Sequence, residues 1–527
     1  MHKTTNYILL IGFAMCLLQI WLPQYYMTGD GPCHVYNAQV LHDLWSNKNV
    51  GFYEHFYKLL YQPNPNWLST IILALLMFIV NGIIAEKIFL TIYVVLFVSG
   101  FYLLLRRISN NKSYWVLALF IFVFPHVLAK GFYNFSFSIA FFFWVVWSWL
   151  RFLDKKNVTN GISFFVFTAL VFFTHLLSFG FAAFTCAALV LSYGAAGSQK
   201  VGSYCIKHLS ILALLLSPFL LLMGWFTQKE GGLQMDMHHH FYRLIELVQL
   251  KYLMNISLRE NVFVLVAGVC LLLLFFMSFI KGKWQVNKYD GFLLSLLFSL
   301  FVYLFFPESF LGRLILINMR AQLFVAILII CCIAYRLDNV KLKNAGALLI
   351  LACFVCLTVI RINCLLGVSK GEAEFLSVGK NIKEYAIVLP LNFSPNGKDE
   401  QGHILADGNF LFSHAADYMG LQKPLIILDN YEANMGYFPL QWSEAVNPYN
   451  HLSKEEGIEG IPPYVTISEY KKATGVAVDY ILLWCFNNSF LQNPHFSALY
   501  TEINNGYHII YTSPTGRTVL YALNKQP

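Results

Sequence analysis

Charge is what this sequence has least of. Only 12% of its 527 residues are Asp, Glu, Lys or Arg, about half the share found in soluble domains. With 57% hydrophobic and 17% aromatic residues and a mean hydropathy of +0.57, that shortage excludes an ordinary soluble enzyme. Metal-type spacing is also missing: the one CxxC, Cys353-Phe354-Val355-Cys356, lies inside an apolar run, and no Cys/His pattern occurs. Most of the 11 cysteines lie in or beside apolar runs, where cysteine serves as a small hydrophobe, and only Cys33 and Cys485 lie in segments expected outside. A disulfide framework is therefore not expected. The C-terminal part has no phosphate-binding glycine loop and no nucleophile elbow, and the chain has no long repeat or low-complexity tract. The net charge of +8 sits in short loops between apolar runs, so nucleic acid is not an expected partner.

What the chain has instead is apolar length. Runs of roughly 17–22 residues, enough to cross a ~30 Å hydrocarbon core, recur through the first ~365 positions. Spans are expected near 7–22, 85–105, 114–129, 132–150, 161–175, 177–195, 208–226, 262–280, 291–306, 321–335 and 344–360. The first is not a typical cleaved signal peptide, because Leu22-Pro23-Gln24 follows it in place of a small-x-small site. With the N-terminus in the cytoplasm, five basic clusters fall inside: Arg106/Arg107/Lys112, Arg151/Lys155/Lys156, Lys200/Lys207, Lys281/Lys283/Lys288 and Arg336/Lys341/Lys343. An odd number of spans puts the C-terminal part outside. Residues 67–83 are apolar enough to cross, but a crossing there would flip every later basic loop. They are read as a membrane-skimming segment started by the rigid turn Gln62-Pro63-Asn64-Pro65-Asn66. A twelfth span is the alternative.

The expected fold class is a polytopic α-helical membrane protein of about 11 transmembrane helices, with interfacial helices in the first outer loop and a C-terminal soluble α/β domain. The expected domains are 1–364, containing the outer loop 23–84, and 365–527. In the second, 386–391, 424–428, 479–484, 507–512 and 517–523 read as strands, and 370–385, 413–420 and 468–474 as helices. Ser513-Pro514-Thr515-Gly516 reads as a hairpin turn. Residues 241–248 follow helical period and read as an interfacial amphipathic helix.

The first outer loop carries Met27-Thr28-Gly29-Asp30-Gly31-Pro32-Cys33-His34. Asp30 suits two roles. With Gly31 as N-cap and Pro32 at the first helical position, its carboxylate would favour the helix dipole. As a lone carboxylate at a membrane surface, it would take the proton of an attacking hydroxyl. His34, one turn on, would orient Asp30 or contact a phosphate. Arg313 and Arg320 are candidate phosphate clamps, with snorkelling anchors as the plain alternative. Lys130 and His126 are weaker candidates of the same kind. His175 lies between two apolar runs, where a polar residue suggests function, although a hydrogen-bonded turn histidine fits equally well. His238-His239-His240 reads as a solvated loop, because three adjacent histidines cannot face one ion from a helix. His403, Asp407, His414 and Asp417 read as surface residues.

This layout resembles the GT-C membrane glycosyltransferases, the class of protein O-mannosyltransferases and lipid A aminoarabinose transferases. Asp30 matches the position of their first-loop acidic residue. Pro63-Asn64-Pro65-Asn66-Trp67 is similar to the start of their juxtamembrane helix, and Phe101-Tyr102-Leu103-Leu104-Leu105-Arg106-Arg107 resembles the end of their next span. No second acidic residue matches in Ala129-Lys130-Gly131-Phe132-Tyr133-Asn134. The resemblance implies transfer of a sugar from a polyprenyl phosphate or diphosphate to an acceptor hydroxyl of a glycan, lipid or protein, with inversion on the extracytoplasmic face. Asp30 would be the base, and His34, Lys130, His175, Arg313 and Arg320 would bind substrate or phosphate. No cofactor is fixed; a divalent metal is the one the resemblance leaves open. The expected location is a bacterial inner membrane with a periplasmic C-terminal domain. The rival readings are a lipid or saccharide transporter or flippase, which would show mid-span charges or broken helices in matching halves, and a non-catalytic cell-envelope assembly protein.

Overall fold

The computed structural model describes residues 2–61, 64–109, 113–197, 200–226, 240–253, 256–280, 285–308, 316–454 and 457–524. Gln62, Pro63, Lys112, Gly231, Gly232, His238, His239, Lys281, Lys283 and Arg313 lie outside the described residues.

The protein is a polytopic helical membrane protein. Among the described residues eight helices are long and apolar enough to cross a membrane: Thr4–Trp21, Gly82–Ile108, Tyr133–Asp154, Leu176–Gly197, Val201–Gly224, Leu258–Ile280, Ile317–Arg336 and Val340–Asn381. Three shorter apolar helices, Tyr114–Ala129, Val158–Thr174 and Gly291–Phe305, complete the set. They coincide with the runs seen in the sequence. The segment 67–83 does not make a span: its helix is only Leu68–Leu76. At 1.5 Å per residue such a helix rises about 14 Å, half of what a crossing needs.

The chain divides into two compact units. The first is Met1–Gln19, Thr91–Leu128 and Tyr133–Arg361. It is packed largely by aromatic side chains, such as Phe101 stacked on Phe143 at 4.2 Å and Phe181 on Phe324 at 4.3 Å. It holds a buried ion pair. Arg361 lies 2.7 Å from Glu260, and that carboxylate also closes a capping box with Ser257. The expected amphipathic segment forms the helix His240–Gln249, and its buried Arg243 donates to the Leu304 carbonyl at 2.9 Å.

The second unit is Ile20–Leu90, Ala129–Phe132 and Ile362–Pro527. The expected boundary at 364/365 grouped 23–84 with the membrane helices; by contacts this loop gathers with the C-terminal part. Its strands are β1 (Tyr57–Leu59), β2 (Ala386–Asn392), β3 (Leu425–Ile427), β4 (Leu440–Trp442), β5 (Tyr480–Trp484), β6 (Tyr507–Thr512) and β7 (Thr518–Leu523). A mixed sheet runs in the order β3-β2-β5-β7-β6, with β2 parallel to β3 and β5, and β7 antiparallel to β5 and β6. Pro390 sits in the inner strand β2 at no cost to the ladder, because β3 pairs only with residues 386–388. The hairpin turn forms as expected, closed by the Gly516 amide on the Ser513 carbonyl at 2.9 Å.

Two elements tie the early loop into this unit. β1 pairs antiparallel with β4. The helix Gly31–Trp45 is buried around nearly its whole circumference and packs on the helix Leu68–Leu76 and the 3₁₀ segment Ala415–Leu421. The Tyr36 hydroxyl donates to the Leu425 carbonyl of β3 at 2.8 Å.

Candidate functional site

Asp30 is fixed by backbone before any side chain is considered. The Gly29 and Asp30 amides donate to the Ala129 and Lys130 carbonyls, both at 2.9 Å. The next residue, Gly131, has φ +89, and a Cβ there would stand 2.6 Å from the Gly31 nitrogen and 2.8 Å from the Asp30 Cα. Only glycine allows so close an approach. A Cβ on Gly29 would meet the Lys130 carbonyl at 2.8 Å.

Asp30 occupies the N-cap position of the helix Gly31–Trp45, with Pro32 in the first turn, but its side chain makes no capping bond. Its backbone (φ −93, ψ −7) is already helical, whereas a side-chain cap uses an extended residue. The capping role therefore does not consume the carboxylate, which is 19% exposed. The Tyr431 hydroxyl beside it favours the ionised form. Burial raises its pKa, and the charges of His414 and His34 oppose that rise. Lys130 is half-buried; burial lowers its pKa, and the Asp30 charge opposes that shift.

The C-terminal part supplies the rest. His34 Nδ1 lies 2.7 Å from Glu432, a fully buried carboxylate that also accepts from Asn37 at 2.9 Å. Burial alone would lower the His34 pKa; Glu432 reverses this and leaves it raised. That nitrogen is thus engaged with protein. The buried His414 ring stacks on Tyr431 at 4.7 Å. Its Nε2 is 3.9 Å from Asp30 Oδ1, and its Nδ1 is 3.9 Å from Asp429 Oδ2. Burial pushes Asp429 up to about 7, against the lowering influence of His414. Asp417 is fully buried beside the Cys33 thiol and raised well above the carboxylate range by burial and by Asp429. A carboxyl held near neutrality by burial beside a histidine is the kind of group that exchanges protons.

Of the residues expected from the sequence, Asp30, His34 and Lys130 come together in the second unit. His175 and Arg320 both pack on one aromatic ring in the first: the guanidinium lies 5.3 Å from the Phe135 centroid, and the His175 and Phe135 rings meet T-shaped at 5.0 Å. His175 Nδ1 accepts the Leu177 amide at 3.2 Å, so it is a hydrogen-bonded turn histidine. His403 and Asp407 are exposed as expected. His414 and Asp417 are not; both are buried. His414, Asp429, Tyr431 and Glu432 went unrecognised as site residues. The available signal was the run Asp429-Asn430-Tyr431-Glu432 directly after a strand, since α/β sheets place ligand sites beyond the carboxyl ends of their strands.

Among the described residues no group of three or more His, Cys, Asp or Glu side chains is placed to hold a metal ion.

No family model matches the sequence, and no curated protein matches it. Among solved structures it is similar to ArnT from Cupriavidus metallidurans in the apo state, with a TM-score of 0.55 and 9% identity over 99% of this chain and 98% of that one. At that identity the likeness speaks for the fold alone: this chain has the fold of that structure, the GT-C fold.

Proposed function

We propose that the protein is a membrane glycosyltransferase that moves a sugar from a polyprenyl phosphate or diphosphate to an acceptor hydroxyl, inverting the anomeric centre. Asp30 is the general base. The acceptor oxygen attacks the anomeric carbon on the side opposite the phosphate. Its proton passes to Asp30 as the bond between the anomeric carbon and the phosphate oxygen breaks, and the phosphate leaves with the bonding electrons. Lys130 offsets the charge growing on that phosphate. His34 is the further phosphate-binding candidate in the same unit; His175, Arg320 and Arg313 are candidates on the sequence alone. The observation that carries this reading is the Asp30 carboxylate itself, held at a helix start without capping it and partly open beside a lysine. A carboxylate with a raised pKa is a stronger base than an ordinary one.

The donor is lipid-linked, so the site lies at a membrane surface. We place the N-terminus in the cytoplasm and the C-terminal part in the periplasm of a bacterial inner membrane, following the basic loops. The test is incubation of purified protein with a panel of polyprenyl-phosphate sugars and hydroxyl acceptors. Release of lipid phosphate together with an inverted glycoside is expected. Lipid translocation across proteoliposomes with no transfer on any donor would favour the flippase reading and overturn this one.

A further inference from the structure

Resting on that reading, we propose that His414 and Asp429 form a proton relay behind Asp30, acting as positioning residues that clear the base between turnovers. The geometry is one imidazole between two carboxylates, with Nε2 facing Asp30 and Nδ1 facing Asp429, each at 3.9 Å. The imidazole and the inner carboxylate are both buried, His414 at 3% and Asp429 at 5% exposure. His414 Nδ1 and Asp429 Oδ1 make no hydrogen bond in the resting site, a costly state for buried polar atoms. A small approach on either side would convert both 3.9 Å contacts into hydrogen bonds, as catalytic sites commonly tighten on substrate binding. The ring is stacked on Tyr431 at 4.7 Å.

The step balances. After transfer, Asp30 carries the acceptor's proton. Asp30 gives that proton to His414 Nε2 while His414 Nδ1–H gives its own to Asp429. The carboxylate of Asp30 is restored, Asp429 is protonated, and the imidazole has changed tautomer; before the next turnover Asp429 loses its proton to solvent and the imidazole returns to its Nδ1–H tautomer by exchange with water. Asp429 must be ionised to receive, and its carboxyl is held up to about 7 by burial and by Glu459. The groups facing it are His414, Glu459, Asp417, Tyr449 and the Cys33 thiol. Those facing Asp30 are His414, His34, Tyr431, Glu432 and Lys130. Glu459 is exposed and accepts from the Tyr449 hydroxyl at 3.2 Å, so it gives a handle on Asp429 from outside the core.

The experiment is the pH dependence of kcat in wild type, Glu459→Gln, Asp429→Asn and Asp30→Asn, with infrared difference titration of the same proteins and of His414→Gln without substrate. Wild-type kcat should rise through about pH 7, where Asp429 ionises. Glu459→Gln should move that rise to lower pH. Asp429→Asn should remove it and lower kcat about 10-fold at unchanged KM, less than the ~10²–10⁴-fold expected for the base itself. In the infrared, a protonated-carboxyl band titrating near neutrality should vanish in Asp429→Asn and persist to higher pH in His414→Gln. If Asp30→Asn is inactive but Asp429→Asn keeps the wild-type profile, the relay is overturned and the transferase reading stands. If Asp30→Asn is fully active, both fall. An infrared titration unchanged in Asp429→Asn overturns the relay whatever the transfer assay shows.

Discussion

His34 Nδ1 lies 2.7 Å from Glu432 Oε1, joining the first turn of the helix Gly31–Trp45 to a short turn of the C-terminal part, with both side chains buried. Removing one member of such a pair strands the other. Glu432→Ala should cost about 3–5 kcal/mol and should release Asn37 as well. Denaturant unfolding in detergent measures it. The pH dependence has a definite sign. Glu432 holds the folded-state His34 pKa above its ordinary value. The pair's contribution is therefore complete below the unfolded value of about 6.5 and lost as pH rises through the folded one. Glu432→Gln should flatten that loss.

Asp429 predicts the reverse consequence of substitution. Its carboxyl moves from 3.8 to about 7 on folding, so the folded protein holds an extra proton between those values. That stability is present below pH 3.8 and declines as pH rises to about 7. Asp429→Asn should therefore be more stable than wild type at pH 8 and lose that advantage in acid. Thermal unfolding at pH 5 and pH 8 checks this; an equal difference at both pH values would contradict it.

Much of this molecule was legible because hydropathy and strand patterning are local. The apolar spans, β2, β3, β5 and the β6–β7 hairpin could be read from short windows. The helix Pro494–Gly506 was missed despite its start signal: Asn493 caps the amides of His495 and Phe496, and Pro494 follows it. The β1–β4 ladder was not legible, because three-residue strands hundreds of positions apart carry no shared pattern. The same distance hid the site. Asp30 stood out as a lone carboxylate in an apolar chain. His414 and Asp417 looked like surface residues because polar residues in a polar segment usually are; only packing against the helix Gly31–Trp45 buries them.

Gly131 offers a backbone test. Gly131→Ala places a methyl against the Asp30 and Gly31 amides at a positive φ. The strain should cost about 1–3 kcal/mol and shift both Lys130 and Asp30. Transfer activity should fall further than the melting temperature alone would explain. Wild-type activity in Gly131→Ala would show that the turn does not position the site.

Topology can be tested at Ile79, which is 82% exposed just after the helix Leu68–Leu76. With the part-exposed Cys205, Cys270, Cys356 and Cys364 replaced by serine, Ile79→Cys should react with an impermeant maleimide from the periplasmic side. Labelling only from the cytoplasm would contradict the proposed orientation.

The most direct measurement is kcat for sugar transfer by Asp30→Asn, which keeps the shape of the side chain and removes the base. The proposed mechanism predicts a loss of about 10²–10⁴-fold in a protein that unfolds at the wild-type temperature. Wild-type kcat in the folded Asp30→Asn protein would contradict it.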